Sequence, residues 1–302
     1  MNKEWKNHYG QLLDSKNGFD VIECQNCGFK HVIPIPTKEE LENIYRDTYY
    51  SKEKPFYLER HREDLEWWNL VYCDRYDTFE KNLPNNRRTI LDIGSGPGFF
   101  LLHGKRRGWH TLGLEPSKQA AEHAKGLGLK IIEEFMDHSL TNKLDKFDVI
   151  HMSEVLEHVT DPIDTLRITY TLLKPGSLLC LSVPNDYNPF QNVLREVCEY
   201  EPWWVTPPYH INYFDFISLG MLLEKIGFKI ILKESTFPID MFLLMGDNYV
   251  GNHTLGRECH EKRKQFEFVL HKGKYNDLKR RLYRCFAEIG TGREVIIIGR
   301  KT

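Results

Sequence analysis

The stretch TILDIGSGPGFFL, residues 89–101, decides the fold. An apolar run ends in Asp92, and glycines follow at positions 94, 96 and 98 before a second apolar run begins. Glycine lacks a Cβ and turns through φ > 0 at little cost, so such a loop presents bare N–H groups at the start of the next helix. A helix start of that kind favours an anion or a ligand carboxylate. Spacing selects among nucleotide-like ligands. The dinucleotide fingerprint G-x-G-x-x-G needs its third glycine where this chain has Phe99, and Pro97 stiffens the turn. The pattern here is instead D-x-G-x-G-x-G. The next predicted strand, HTLGLEPS (110–117), reaches Glu115, which lies 23 residues beyond Asp92. That is close to the ~20 expected of a carboxylate that reads ribose hydroxyls. Strand, glycine loop, helix, strand and acid together predict a nucleoside pocket.

Outward from this stretch, strand and helix alternate. After ILDIG come PGFFLLHGKRRG, HTLGLE, SKQAAEHAKGLG, LKIIEEF, FDVIHM, DPIDTLRITYTLL and GSLLCLSVP. This order predicts an α/β fold with a doubly wound, mostly parallel sheet and right-handed crossovers. Ligands of such sheets sit outside the carboxyl ends of the strands, where Gly94, Glu115, Phe135, Ser153 and Pro184 fall.

LDIGSGPG (91–98), LGLEPS (112–117), FDVIHMSEVLEHVTDP (147–162) and LLKPGSLLCLSVPN (172–185) carry a resemblance to the class I S-adenosylmethionine-dependent methyltransferases. Within that class the chain is similar to the small-molecule branch with an L-E-H tripeptide after the fourth strand. The resemblance covers roughly half of the chain, from Arg88 to about Phe228. It implies a Rossmann-like seven-stranded sheet and S-adenosylmethionine as methyl donor. By resemblance, Asp92 and the loop Gly94, Ser95, Gly96 and Gly98 take the methionine end, and Glu115 with Pro116 takes the ribose. Phe135 and Met136 flank the adenine, while Ser153 and Glu154 line the wall beside the methyl group. Glu157 and His158 border the acceptor pocket, and Tyr45, Tyr49 and Tyr50 belong to a segment that related enzymes lay over the cofactor. Packing against the domain is the plain alternative for Phe135, Met136 and the tyrosines, and a hydrogen bond to a neighbouring backbone group is that for His158.

The flanks differ from the general pattern, and substrate choice is expected there. Residues 1–55 read as a small N-terminal module, 56–86 as a helical linker, and 87–302 as the main domain with insertions at about 185–214 and 236–290. Thr37 and Glu40 form a capping box ahead of one helix. A second helix, roughly 60–83, places Leu65, Trp68, Tyr72, Tyr76, Phe79 and Leu83 on one face. The 185–214 insertion, rich in proline and aromatics, reads as a long irregular loop, and such loops are usually functional. It holds His210, whose imidazole titrates near neutral pH, among Trp203, Trp204, Tyr209, Tyr213 and Phe214. That setting suits a general base in a dry, stackable wall, with a loop-pinning role as the alternative.

The knuckle FDVIECQNCGFKHVIPIP offers Cys24 and Cys27, with His31 after it and His8 before it. Two thiolates and two imidazoles have the chemistry of a structural zinc site. A firm zinc assignment usually rests on two close-spaced pairs and only one is present here, so a degenerate ribbon without metal stands beside the zinc reading.

Net charge −2 gives no broad attraction to phosphate backbones, so no nucleic-acid partner is expected. No stretch approaches the ~18 apolar residues of a membrane span, and the charged start MNKEWKNHYG is no signal peptide. Seven scattered cysteines are unlike a disulfide framework, and the cytoplasm is the expected compartment. The expected function is methyl transfer to a small acceptor, foremost a hydroxyl of a sugar or nucleotide-linked sugar. A quinol acceptor and a non-catalytic cofactor-binding module are the alternatives, and a homo-oligomer is left open.

Overall fold

The computed structural model describes residues 1–44 and 56–302. Strands β1 (Asn2–Trp5), β2 (His8–Lys16), β3 (Phe19–Cys24) and β4 (Lys30–Ile33) open the chain, followed by helices α1 (Lys38–Asn43), α2 (Tyr57–Glu63) and α3 (Leu65–Asn82). Alternation then sets in with β5 (Thr89–Ile93), α4 (Phe99–Arg106), β6 (His110–Leu114), α5 (Lys118–Gly126), β7 (Ile131–Ile132), β8 (Phe147–Ser153), α6 (Pro162–Leu172) and β9 (Leu173–Pro184). The remainder holds α7 (Pro189–Cys198), β10 (Asn212–Tyr213), α8 (Phe216–Ile226), β11 (Phe228–Glu234), α9 (Asp240–Leu244), α10 (His253–Lys272), α11 (Asn276–Glu288) and β12 (Glu294–Lys301).

Seven strands form one sheet in the order β11-β12-β9-β8-β5-β6-β7. The pairs β5–β6, β5–β8 and β6–β7 are parallel, as the alternating sequence predicts. The chain divides into two compact units. One comprises residues 36–181, 223–229 and 298–302; the other comprises 1–35, 182–222 and 230–297.

In the first unit, Ile90, Leu91, Val149 and Ile150 are fully buried, which is why β5 and β8 read as continuous apolar runs rather than alternating ones. Helix α3 packs on α4 through a glycine contact: a Cβ on Gly104 would lie 2.1 Å from the Tyr76 hydroxyl. That hydroxyl donates to the Phe100 carbonyl at 3.2 Å. The single helix expected over 60–83 is two, because Asp64 leaves helical geometry (φ −94°, ψ 8°) and ends α2 as α3 begins. Aspartate's short polar side chain competes with the helix for backbone hydrogen bonds, which makes it a natural breaking point.

The second unit contains a five-stranded sheet, β1-β2-β3-β4-β10. Its first four strands are antiparallel neighbours in chain order, whereas β10 comes from the aromatic insertion and pairs Asn212 with His31 and Tyr213 with Lys30. The insertion is thus less irregular than its sequence suggests. Asn188 caps α7 by accepting from the Phe190 and Gln191 N–H groups, and Pro189 occupies the first turn, where its missing N–H costs nothing. Among the described residues, no helix is long and apolar enough to cross a membrane.

Candidate functional site

The glycine loop is fastened to the neighbouring strand. The Gly94 and Ser95 N–H groups donate to the Leu114 carbonyl at 2.8 and 3.1 Å, so the loop rides on the carboxyl end of β6. Gly94 has φ +69°, and a Cβ there would lie 2.4 Å from Val155 Cγ2. Gly98 sits left-handed (φ +85°) at the start of α4, where a Cβ would lie 2.7 Å from the Ala124 Cβ. Both positions need glycine for conformation and for space at once. The Ser95 hydroxyl between them is buried with no hydrogen-bond partner among the described residues.

Glu115 closes the turn from the other side and is only 4 % exposed. Its Oε2 accepts from the Gly96 N–H at 2.7 Å and its Oε1 from the Ser117 N–H at 2.8 Å, across the intervening Pro116. Burial pushes its carboxyl up to about 7, against the downward pull of those two N–H groups. Each carboxylate oxygen keeps a second lone pair for a donor outside the protein.

Asp92 is held by a residue that the sequence reading missed. Asp92 and His151 are register neighbours on β5 and β8, and His151 Nδ1 lies 2.7 Å from Asp92 Oδ1. The imidazole also stacks on Phe100 with centroids 4.0 Å apart. Both side chains are buried, so the acid beside the glycine loop has a fixed orientation. The available signal was a histidine inside the apolar run Val149–Met152, two residues before Ser153.

Beyond β8, Ser153 and Glu154 are half-buried and Glu154 adopts φ +55°, an uncommon geometry for a residue with a side chain. The turn 156–158 carries Glu157, which is buried, and His158, whose Nε2 lies 3.6 Å from Glu157 Oε1. Phe135 and Met136 are half-buried in the segment after β7. Tyr45, Tyr49 and Tyr50 lie outside the described residues.

His210 belongs to the second unit. Its N–H donates to the Thr206 carbonyl at 3.2 Å, its carbonyl accepts from the Tyr213 hydroxyl at 3.0 Å, and its Nδ1 lies 3.8 Å from Asp186 Oδ2. Nearby rings pack edge to face: Tyr187 against Trp204 at 5.5 Å, and Trp203 against Trp204 at 4.8 Å. The Trp204 indole N–H is buried with no hydrogen-bond partner among the described residues.

The same unit brings His8, Cys24, Cys27 and His31 together, with one ligand atom of each within 4.8 Å of every other. His8 Nδ1 lies 3.1 Å from His31 Nε2, 3.3 Å from Cys27 Sγ and 3.8 Å from Cys24 Sγ. The knuckle is closed by the Gly28 N–H donating to the Cys24 carbonyl at 2.9 Å, with Gly28 at φ +79°. Gly10, paired with Cys24, lets β2 approach: a Cβ there would lie 1.9 Å from the Glu23 carbonyl oxygen. His31 Nδ1 lies 2.8 Å from the Val32 carbonyl, so that nitrogen carries the proton and Nε2 presents its lone pair. Burial pushes the His31 imidazole down to about 4, which keeps it neutral.

Fold and loop together define an α/β protein with a glycine turn and a buried carboxylate at the carboxyl ends of its parallel strands. More particularly, residues 60–233 match the family described as a methyltransferase domain, and the chain belongs to that family. The ubiquinone biosynthesis O-methyltransferase of Actinobacillus pleuropneumoniae serotype 5b is 35% identical over 108 residues, covering 32% of this chain and 46% of that protein. Its namesake from Caulobacter vibrioides is 33% identical over 128 residues, covering 40% of this chain and 51% of that one. The chain spans about half the length of these curated relatives. Among solved structures, the plantazolicin methyltransferase BamL, in complex with a triazolic desmethylPZN analog and SAH, aligns with TM-score 0.54 and 15% identity over 87% of this chain and 97% of its own. Magnesium protoporphyrin IX methyltransferase from Synechocystis PCC 6803, with bound SAH, aligns with TM-score 0.53 and 12% identity over 88% and 100%. At that identity the likeness is one of fold.

Proposed function

We propose that this chain transfers the methyl group of S-adenosylmethionine to a hydroxyl oxygen of a small acceptor. Glu115 carries the reading: a buried carboxylate tied to the glycine loop by the Gly96 N–H, with lone pairs left for two ribose hydroxyls. The surroundings fit the ligand. Gly94 and Gly98 let the loop close on Val155, Ala124 and Leu129, where a Cβ would clash, and the buried Ser95 hydroxyl has no partner among the described residues.

When bound, S-adenosylmethionine supplies a methyl carbon already made electrophilic by its sulfonium. The protein's part is to align donor and acceptor, exclude water and take a proton. Asp92, oriented by His151, faces the methionine end together with the backbone of Gly94, Gly96 and Gly98. Phe135 and Met136 flank the adenine, and Ser153 and Glu154 border the methyl group. The acceptor oxygen forms the new C–O bond as the S–C bond breaks, the S–C electron pair stays on sulfur, and the hydroxyl proton passes to an imidazole. Two histidines suit that role, each near a carboxylate: His158 beside Glu157 and His210 beside Asp186.

For the acceptor, the curated relatives favour a phenolic quinol over the sugar expected from sequence, since those named all act in ubiquinone biosynthesis. The sugar reading keeps one observation, the half-buried rings of Tyr187 and Trp203, which suit stacking on a sugar ring. A structural zinc ion in the five-stranded sheet is the second, non-reacting cofactor of this reading.

Incubation with S-adenosylmethionine and a panel of quinols and nucleotide-linked sugars tests it. S-adenosylhomocysteine is expected to form with the quinols. Binding of donor without turnover on any acceptor would leave a non-catalytic module, and no binding would end the reading. Replacement of the proton acceptor, His158→Gln or His210→Gln, is expected to slow turnover about 100-fold with unchanged cofactor affinity. The histidine whose loss leaves turnover intact is not the base.

A further inference from the structure

Four side chains from three separate stretches of the second unit converge on one point. His8 stands at the start of β2, Cys24 at the end of β3, Cys27 in the knuckle, and His31 within β4. The nitrogen His8 Nδ1 faces three partners at once: His31 Nε2 and both cysteine sulfurs. One ring nitrogen has either one proton or one lone pair, so it cannot serve all three by hydrogen bonding. A single cation among them serves all four groups. Tetrahedral zinc bonds of ~2.3 Å to sulfur and ~2.0–2.1 Å to nitrogen place two nitrogens about 3.3 Å apart and a nitrogen and a sulfur about 3.5 Å apart. The observed 3.1, 3.3 and 3.8 Å bracket those values. His31 has the further mark of a ligand, since the Val32 carbonyl fixes its tautomer with Nε2 free.

We propose that His8, Cys24, Cys27 and His31 hold one Zn²⁺ in a closed tetrahedral site, and that this ion clamps the sheet edge on which the His210 segment is built. Two thiolates and two neutral imidazoles neutralise the dication, and the two thiol protons leave to solvent on binding. Soft sulfur and imidazole donors in this number select zinc over the oxygen-seeking cations. Four protein ligands leave no open position, so the ion is structural rather than catalytic.

The clamp acts through β4. His31 pairs with Asn212, the Val32 N–H donates to the Ile211 carbonyl at 2.9 Å, and Lys30 reaches Asp215 at 3.2 Å. Phe29 packs on Phe214 with centroids 4.9 Å apart, and Asn17 in the β2–β3 turn donates to the Pro207 carbonyl at 3.0 Å. Residues 207–215 therefore lean on the strands that carry the four ligands, with the Asn185–Phe214 bridge and the Tyr187–Tyr213 ring contact on their other side. The catalytic importance of His210 rests on the methyl-transfer reading; the metal site does not.

Metal analysis of the full chain, purified with thiol protection and equilibrated with zinc, is expected to find about one zinc per chain. Cobalt exchanged into the site should give the visible bands of a tetrahedral thiolate complex. Cys27→Ala and His8→Ala should hold roughly a tenth of the metal or less, while His8→Cys, which supplies a third thiolate, should hold it fully. Removing zinc with a chelator should speed amide exchange at residues 210–214 about tenfold or more, with β5 and β6 unchanged. Less than about 0.1 zinc per chain in wild-type protein, or equal zinc in wild type and Cys27→Ala, overturns the site. Unchanged exchange at 210–214 on zinc removal overturns the clamp. Binding of S-adenosylhomocysteine to zinc-free protein, measured alongside, separates a failure here from a failure of the methyl-transfer reading.

Discussion

The glycine loop at 94–98 and the knuckle at 24–28 are both tight turns with left-handed glycines, yet they present opposite surfaces. In the loop every second side chain is absent and the backbone does the holding: Gly94 and Ser95 lean on Leu114, and Gly96 reaches Glu115. In the knuckle the backbone closes on itself, Gly28 to Cys24, and the side chains point to a shared centre. A turn stripped of alternate side chains exposes its backbone, and a turn that aims them inward gathers their polar atoms. The same residue type, glycine at positive φ, serves either end.

The sharpest break in this contrast is expected at Asp92. Asp92→Ala leaves the buried His151 Nδ1 without its hydrogen-bond partner, a loss of about 1–3 kcal/mol in stability, and should remove S-adenosylhomocysteine binding in calorimetry. If affinity survives, the acid beside the loop serves the fold alone. Gly94→Ala comes next. It places a Cβ against Val155 at φ +69°, so cofactor affinity should fall about tenfold to hundredfold, in line with ~1–3 kcal/mol of backbone strain.

Glu115 yields a test by pH. Burial raises its folded-state carboxyl from 4.5 to about 7, so its contribution to stability is complete below 4.5 and is lost as pH rises through about 7. Ribose hydroxyls donate to the ionised form, so cofactor affinity runs the other way and strengthens from pH 6 to 8. Glu115→Gln should weaken binding about tenfold and flatten both profiles. A wild-type affinity that is flat with pH would remove Glu115 as the ribose carboxylate.

The smallest effect is expected at His61, stacked on Phe99 at 4.7 Å and on Trp68 at 5.1 Å. Burial pushes its imidazole down to about 4, so it stays neutral in the fold, and its stabilising contribution is present above 6.5 and lost as pH falls through 4. His61→Phe should reduce the acid-induced drop in Tm by about 2–4 °C. An unchanged drop would assign the acid sensitivity to other groups.

The loop was legible because its spacing dictates its geometry: Asp92, the glycines and Glu115 are read along one short stretch and one strand period. His151 was not, since its link to Asp92 spans 59 residues and comes only from the register of β5 on β8. Strands β1 and β2 escaped notice because NKEW and HYGQLLDSK are largely polar, and their partners, not their composition, make them strands. His8 was named as a candidate from chemistry, but only the pairing of β2 with β3 brings it to Cys24. The helix α7 did have a signal in Asn188-Pro189, outweighed by the aromatic and proline content around it. Acceptor choice was the least legible part, because stacking surfaces suit phenols and sugars alike.

The pairing of β4 with β10 joins residue 31 to residue 212. During synthesis the four opening strands can therefore fold long before the fifth emerges from the ribosome. Until then the outer edge of β4 offers unpaired N–H and C=O groups, a template for a neighbouring nascent chain. A fragment ending after residue 35 is expected to aggregate on that edge, and supplying residues 205–216 as a peptide should suppress it.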